Sequence, residues 1–369
     1  MCHHGLGVSE PSNRFPGFDV GPVRVAVPLL LAPMEDVTNL AFRLIAKRIA
    51  RPGLMFTEFV SAMAVHYAPD KATRKMRVLE QERPLGVQIF GGDPGVMART
   101  AQIAEEMGAD IVDVNMGCWV PKVCRTGSGA ALLKDPALAE EIVSAVVKAV
   151  RVPVTVKVRA GWDWSLFAAP DLAKRFQGAG AQMITLHARF AKQGFEGEAD
   201  WKLINELRKA VTVPLIGNGD VRTPADAERM IAETGCDGVM VGRAAISNPW
   251  QLAKVRAHLA GDRQPPDPTL QDRVATAIEH ARSMVAFEHG LREWEEVLQL
   301  PEPERTQAEL RGVRALRGQL PLYIKGYQDA SKARAALSRV SSVAEIEDLL
   351  TDFQQKTAEA ESAEVQSRR

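Results

Sequence analysis

The sequence predicts an α/β fold: a closed (β/α)8 barrel of the TIM type, followed by a smaller all-α helical domain. Three observations carry that prediction. Eight short apolar, β-branched runs recur between residues 28 and 250. They are almost continuously apolar rather than alternating, the pattern of parallel strands covered on both faces. Amphipathic stretches with helix-start signals separate them, and eight such units close a barrel.

The runs are Leu29–Ala32, Leu54–Phe59, Leu85–Phe90, Ile111–Asn115, Val152–Val158, Met183–His187, Val213–Asn218 and Gly238–Val241. Asp93-Pro94, Asp135-Pro136 and Thr223-Pro224 each set a capping side chain before a proline at the first helical position. Thr223 and Asp226 also have capping-box spacing. Gly108 and Gly235 stand where helices should stop. The competing architecture is an open doubly wound sheet with a dinucleotide fingerprint. Gly127-Ser128-Gly129 matches only part of it.

After Trp250 the pattern changes. Pro265-Pro266-Asp267-Pro268 reads as a linker. Helices are expected over 274–287, 291–298, 308–325, 331–337 and 343–353. The predicted organisation is an N-terminal extension (1–24), a barrel domain (25–260), a helical domain (268–353) and a flexible polar tail (354–369).

Composition excludes several classes. The 369 residues are 46% hydrophobic and 25% charged, a globular balance. The longest early apolar run, about nine residues, falls well short of the roughly 20 that a membrane span needs. Residues 1–24 carry Pro, Gly, Asp and Glu where an export signal needs an apolar core. Cys2, Cys118, Cys124 and Cys236 form no CxxC pair, which fits a reducing cytoplasm and excludes common zinc spacings. No metal is expected. The formal net charge is zero, so any affinity for nucleic acid must come from local charge. Such charge exists: Arg311, Arg314, Arg317, Lys325, Lys332, Arg334 and Arg339 face only Asp329 over 311–339. Arg311, Arg314 and Arg317 recur every three residues, along one side of a helix.

In a barrel, chemistry gathers at the C-terminal strand ends. Those ends hold Ala32-Pro33-Met34, Glu58, Gln88, Asn115 with Cys118, Lys157 with Arg159, His187, Asn218-Gly219-Asp220 and Gly242-Arg243. Lys157 and Arg159 alternate with Val156 and Val158, so both cations point inward. A buried cation requires a partner, which is either Glu58 or an anionic ligand. Barrels often bind phosphate with the loops after strands seven and eight; here these are Gly217–Asp220 and Gly242–Ala244. An inward Lys157 beside such a site points to flavin mononucleotide, with Lys157 near the ring, Gln88 at its edge and His187 at the phosphate or substrate. A thiol above that ring is a candidate general acid. Cys118 fits this role, with Asn115 to hold a substrate carbonyl.

The strand-end segments carry a resemblance. Leu31–Met34, Val87–Gly91, Asp113–Cys118 with Gly129–Leu133, Val156–Arg159, Thr185–Arg189 with Gly197–Trp201, Gly217–Asp220 and Gly238–Ala244 with Asn248–Trp250 follow one another as in the tRNA-dihydrouridine synthases. The chain resembles the bacterial B-type branch most closely. The likeness continues through Leu316-Arg317 and Tyr323–Tyr327. It implies an FMN-bearing barrel, NADPH as transient reductant, and hydride transfer to C6 of a tRNA uridine while Cys118 protonates C5. It assigns Ala32, Pro33, Met34, Gln88, Lys157, His187, Asn218, Gly219, Asp220, Gly242 and Arg243 to the cofactor. Asn115, Arg159, Arg314, Arg317 and Lys325 go to the tRNA. A monomer is expected. The alternatives are a flavin barrel that reduces a free small molecule and a non-catalytic RNA-binding barrel. Three departures stand out. Trp119 replaces the proline that usually follows the cysteine, Gly318-Gln319 replace a lysine and histidine, and Phe190-Ala191-Lys192 replace the usual residues after Arg189.

Overall fold

The computed structural model of the chain describes residues 15–367. Cys2 and the expected N-terminal extension up to residue 14 lie outside that range. Each predicted run contains a strand, and eight of them form a closed parallel barrel. The strands involved are β3 (Leu29–Leu31), β4 (Leu54–Phe56), β6 (Leu85–Phe90), β7 (Ile111–Met116), β8 (Val154–Arg159), β9 (Met183–His187), β10 (Leu215–Asn218) and β11 (Gly238–Val241). Neighbours pair in chain order. The ring closes where β11 pairs with β3 and β4 with β6.

The second run breaks in two. After β4 the chain leaves the ladder at Thr57–Phe59 and returns as β5 (Val60–Ser61), which pairs with the upper half of β6. Thr57 and Glu58 are thereby released from strand geometry. A hairpin not expected from the sequence, β1 (Phe18–Val20) with β2 (Val23–Val25), precedes the barrel. Its Val20 and Val25 are fully buried and join Leu30, Leu54, Phe56, Ile111 and Met240 inside the barrel. The hairpin therefore caps the bottom of the barrel with apolar surface, each such side chain contributing about 1.5–3 kcal/mol.

Alternation sorts the strand residues into two layers. Val112, Val114, Met116, Val156 and Val158 pack outward against the helices. Asp113, Asn115, Thr155, Lys157 and Arg159 point inward, as expected for period two. The helix starts hold as well. Asp93 accepts from Val96 N at 2.7 Å, Asp135 from Leu138 N at 3.1 Å, and Thr223 with Asp226 forms the full capping box.

Beyond the barrel the helices are Leu270–Glu288, Trp294–Leu298, Glu302–Leu316, Leu320–Tyr323, Ala330–Leu337 and Val343–Ser367. The largest departures from the expected bounds are three. The helix expected at 308 starts at Glu302, because Pro303 sits in its tolerant first turn. It also stops at Leu316 rather than running on to Lys325. The last helix continues past Phe353 through a stretch rich in Ala, Glu, Gln and Lys, all strong helix formers. A second apolar cluster of Val285, Leu316, Tyr323, Ile346 and Leu350 holds these helices together. They dock on the barrel helix Leu40–Ala50 through Phe42 against His280, with ring centroids 5.8 Å apart, and Arg48 against Glu279. Gln319 adds a latch: its Nε2 donates to Asp36 O at 2.6 Å, while its own carbonyl accepts from Ser247 Oγ at 3.0 Å. Among the described residues, no helix is long and apolar enough to cross a membrane.

Candidate active site at the barrel mouth

A cavity of about 810 Å³ opens at the C-terminal ends of the strands. That is room for a cofactor and a planar substrate ring. One wall is apolar, built by Ala32, Pro33, Met34, Phe59 and Met240. The other carries Asn115, Cys118, Lys157, His187, Asn218 and Arg243.

Cys118 owes its place to two neighbours. Asn115, the penultimate residue of β7, accepts from Gly117 N at 3.0 Å and Cys118 N at 2.9 Å. Gly129 lies on the other side at φ +60°, where a Cβ would sit 2.6 Å from Cys118 O. Only glycine allows Ala130 N to reach that carbonyl, at 2.9 Å. Cys124 Sγ also donates to Cys118 O, at 3.4 Å, which fixes its thiol as part of the loop. Burial raises the Cys118 thiol above its ordinary range, so it keeps its proton at neutral pH. An activity that needs this proton is present below the thiol's raised pKa and lost as pH rises through it. The basic limb that Cys118 sets in the pH–rate profile should therefore lie above the ordinary thiol value of about 8.5. Lys157, which burial pushes down to about 8 in the same site, adds a limb of its own there, so the deciding measurement is direct titration of the Cys118 thiol, and a value below the ordinary thiol range would remove it as a proton donor.

Beneath the loop lies a buried polar layer. Gln88 Nε2 donates to Asp113 Oδ2 and Asn115 Nδ2 donates to Gln88 Oε1, at 2.5 and 2.8 Å. Thr155 Oγ1 completes Asp113. Burial pushes the Asp113 carboxyl up to about 6. Gln88 is fully buried in this layer and does not line the cavity. Its amide instead sets the orientation of Asn115.

Lys157 Nζ donates to Asn218 Oδ1 at 3.1 Å, and Asn218 Nδ2 donates to Met240 O at 2.8 Å. Burial, reinforced by Arg159, pushes the Lys157 ammonium down to about 8. Of the two partners open to these cations, Glu58 or an anionic ligand, Glu58 is taken elsewhere. Glu58 instead accepts from Asp36 N at 2.7 Å and pairs with Lys75. Arg159 points in but is only 2% exposed. It donates to Gly117 O, Phe190 O and Gly194 O at 3.1, 2.9 and 2.8 Å. Its fork ties the cysteine loop to the loop after β9.

The loops after β10 and β11 meet at one edge of the cavity. Gly219 has φ +122°, and a Cβ there would fall 2.7 Å from Ala199 Cβ. Trp201 Nε1 holds its carbonyl at 2.9 Å. The N–H groups of Gly219, Asp220 and Arg243 have no backbone acceptor among the described residues. Asp220 is a hub for arginines, accepting from Arg189 at 2.6 Å and Arg243 at 2.9 Å. Burial alone would raise its carboxyl, but the Ala199 N–H and the two guanidinium groups outweigh this and hold it below the ordinary range. His187, 3.4 Å from Arg189, is driven well below its usual value by burial and then by the surrounding cations, so it is a neutral imidazole at pH 7.

Two residues escaped the sequence reading. Arg189 lies two places after His187, so strand alternation alone places it on the same side. Phe195 stands between Gly194 and Gly197 and reaches over the mouth. Its ring lies 4.6 Å from the Arg243 guanidinium carbon and meets Trp119 edge-on at 6.0 Å. The remaining sequence candidates lie away from the cavity. Arg314 and Lys325 are exposed on the helical region. Arg317 turns inward, donating to Val340 O and Arg339 O, so it leaves the predicted arginine stripe.

Comparisons with known proteins agree on one group. The family model described as "Dihydrouridine synthase (Dus)" matches residues 30–358. The chain is 36% identical over 331 residues to a protein of Synechocystis named "Probable tRNA-dihydrouridine synthase 1", covering 90% of this chain and 87% of that one. It is 33% identical over 323 residues to "tRNA-dihydrouridine synthase B" of Xanthomonas axonopodis pv. citri, covering 88% and 91%. Among solved structures, histamine dehydrogenase from Rhizobium sp. 4-9 superposes with a TM-score of 0.53 at 14% identity, covering 73% of this chain and 50% of that one. That likeness extends to the barrel fold alone.

Proposed function

The chain belongs to the dihydrouridine synthase family, and from that premise we propose that it reduces the C5=C6 bond of specific uridines in tRNA, with FMN as bound cofactor and NADPH as reductant, in the cytoplasm. The observation that carries the proposal is Cys118: a protonated thiol, fixed by Asn115 and Gly129, at the wall of a cavity that Lys157 and Arg243 make attractive to anions.

The residues present fit a flavin mononucleotide. The open N–H groups of Gly219, Asp220 and Arg243, with the Arg243 guanidinium, would hold its phosphate. Asp220 tempers but does not cancel this field, because Arg189 and Arg243 share its carboxylate. Lys157 would sit at the electron-rich edge of the ring, and Ala32, Pro33 and Met34 would form its apolar bed. When bound there, the flavin supplies hydride to C6 of the uracil.

This chain's own residues do the rest. Cys118 gives its proton to C5, so that one hydride and one proton saturate the double bond and NADPH ends as NADP⁺. His187, being neutral, can accept or donate a hydrogen bond without adding charge. Lys157 holds negative charge at the ring edge. The uridine must leave its stack to enter the cavity, and the exposed Arg314 and Lys325 of the helical region would hold the tRNA body outside it.

The deciding experiment supplies purified protein, NADPH and unmodified tRNA, then maps dihydrouridine by mass. Dihydrouridine at defined positions is expected; none, from flavin-loaded protein, overturns the reading. Arg243→Ala should weaken FMN at least tenfold, since a charge-assisted bond to phosphate contributes about 1.5–3 kcal/mol. Flavin content unchanged after dialysis would place the phosphate elsewhere.

A further inference from the structure

Among the described residues, most of the large apolar side chains left exposed lie in three neighbouring loops. Five of them, Trp119, Val120, Trp164, Leu166 and Phe195, lie in the loops that follow β7, β8 and β9. Soluble surfaces rarely gather such groups without a partner. Two are indoles: Trp119, after β7, is 36% exposed on the rim of the cavity, and Trp164, after β8, is 64% exposed beyond it.

Both indoles are propped. Trp119 meets Phe195 edge-on, and Trp164 rests on Phe190 with ring centroids 5.9 Å apart. Phe190 and Phe195 belong to the same loop after β9. That loop is clamped from beneath by Arg159, through Phe190 O and Gly194 O, and by Arg189, through Gly197 O at 2.7 Å. Two buried guanidinium groups thus hold a pair of aromatic faces toward solvent. Next to Trp119, on the same loop, Lys122 and Arg125 are exposed and have no ion-pair partner among the described residues.

We propose that Trp119 and Trp164 are stacking platforms for the single-stranded nucleotides adjoining the target uridine, with Lys122 and Arg125 meeting the phosphates between them. The proposal rests on the reading of the cavity as a uridine site. Flat aromatic faces interleaved with free cations match unstacked nucleotides, which offer a π-face and a charge at every step. A protein partner would call for a continuous apolar groove, and a duplex would hide its base faces. The platforms also run outward from the cavity rim, the direction in which a strand must leave an extruded base.

The test uses the full-length, flavin-loaded protein with Trp119→Ala, Trp164→Ala and the matching Trp→Phe variants. Hexauridylate and unmodified tRNA are the probes. Each alanine variant should bind hexauridylate about 5- to 140-fold more weakly. It should raise KM for tRNA and leave KM for NADPH and the thermal midpoint unchanged. The phenylalanine variants should keep most of the affinity. Unchanged binding and KM in both alanine variants, while wild-type protein forms dihydrouridine, overturn the stacking assignment alone. A raised KM for NADPH with unchanged RNA binding overturns it by giving the rim to the reductant. Equal weakening toward a duplex of the same length overturns it by making the rim a general charge surface. If wild-type protein neither binds RNA nor forms dihydrouridine, the underlying reading falls and the proposal with it. Should Trp119→Ala fail to fold, Trp119→Phe and Trp164→Ala decide.

Discussion

Cys118→Ala is expected to keep its flavin and its reduction by NADPH while losing dihydrouridine formation by about 100- to 10,000-fold. That is the range a positioned general acid contributes. The thiol lies on the cavity wall, but its backbone does the structural work. The N–H bond to Asn115 and the carbonyl bonds from Ala130 and Cys124 survive the substitution. Loss of activity would thus report the missing proton rather than a displaced loop. Cys124→Ala is the control. Its thiol donates to Cys118 O and is also raised by burial, so its loss should slow turnover only several-fold. If Cys118→Ala stays active and Cys124→Ala does not, the two thiols exchange roles. Single-turnover reoxidation of the reduced protein by tRNA measures both directly.

The barrel was legible because its signals are local. Apolar runs, capping pairs and helix-stopping glycines are each written within a few residues, and they fixed eight strands in order. The hairpin Phe18–Val25 was not legible. Its strands are three residues each, and their burial depends on the open end of a barrel that exists only after folding. Period two correctly turned Lys157 and Arg159 inward, but direction does not reveal a partner. Glu58 lay at another strand end of the same barrel, yet its strand breaks at Thr57 and the carboxylate turns to Lys75 and Asp36 N. Likewise Gln88 stands at a strand end, but long-range bonds to Asp113 and Asn115 draw its amide into the layer below. Sequence spacing thus reached the inward-pointing residues and stopped at the contacts between loops distant in the chain. Arg317 shows the same limit: its threefold spacing with Arg311 and Arg314 is real, but Val340 O and Arg339 O lie within reach and take its fork.

Arg159→Lys should be nearly as damaging as the loss of the cysteine, although the charge is kept. The guanidinium reaches three carbonyls on two loops at once. An ammonium on a flexible stem cannot reproduce that fork. At least one buried carbonyl would lose its donor, at a cost of about 1–3 kcal/mol for each one unpaired. The thermal midpoint should fall by several degrees. Turnover should fall as well, because Gly117 O is one of the three anchors and Gly117 precedes Cys118, the proposed proton donor. Two roles predict different couplings. If Arg159 acts by holding the loops, adding Arg159→Lys to Cys118→Ala lowers kcat little further, since the proton donor it positions is already gone. If it contacts the uridine directly, the second substitution raises KM for tRNA by the same factor in either background. Residues that act through one another are non-additive and independent contacts are additive. Arg159 is only 2% exposed and commits its Nε and Nη1 to three backbone carbonyls, leaving Nη2 alone toward the cavity, and that geometry predicts the first result.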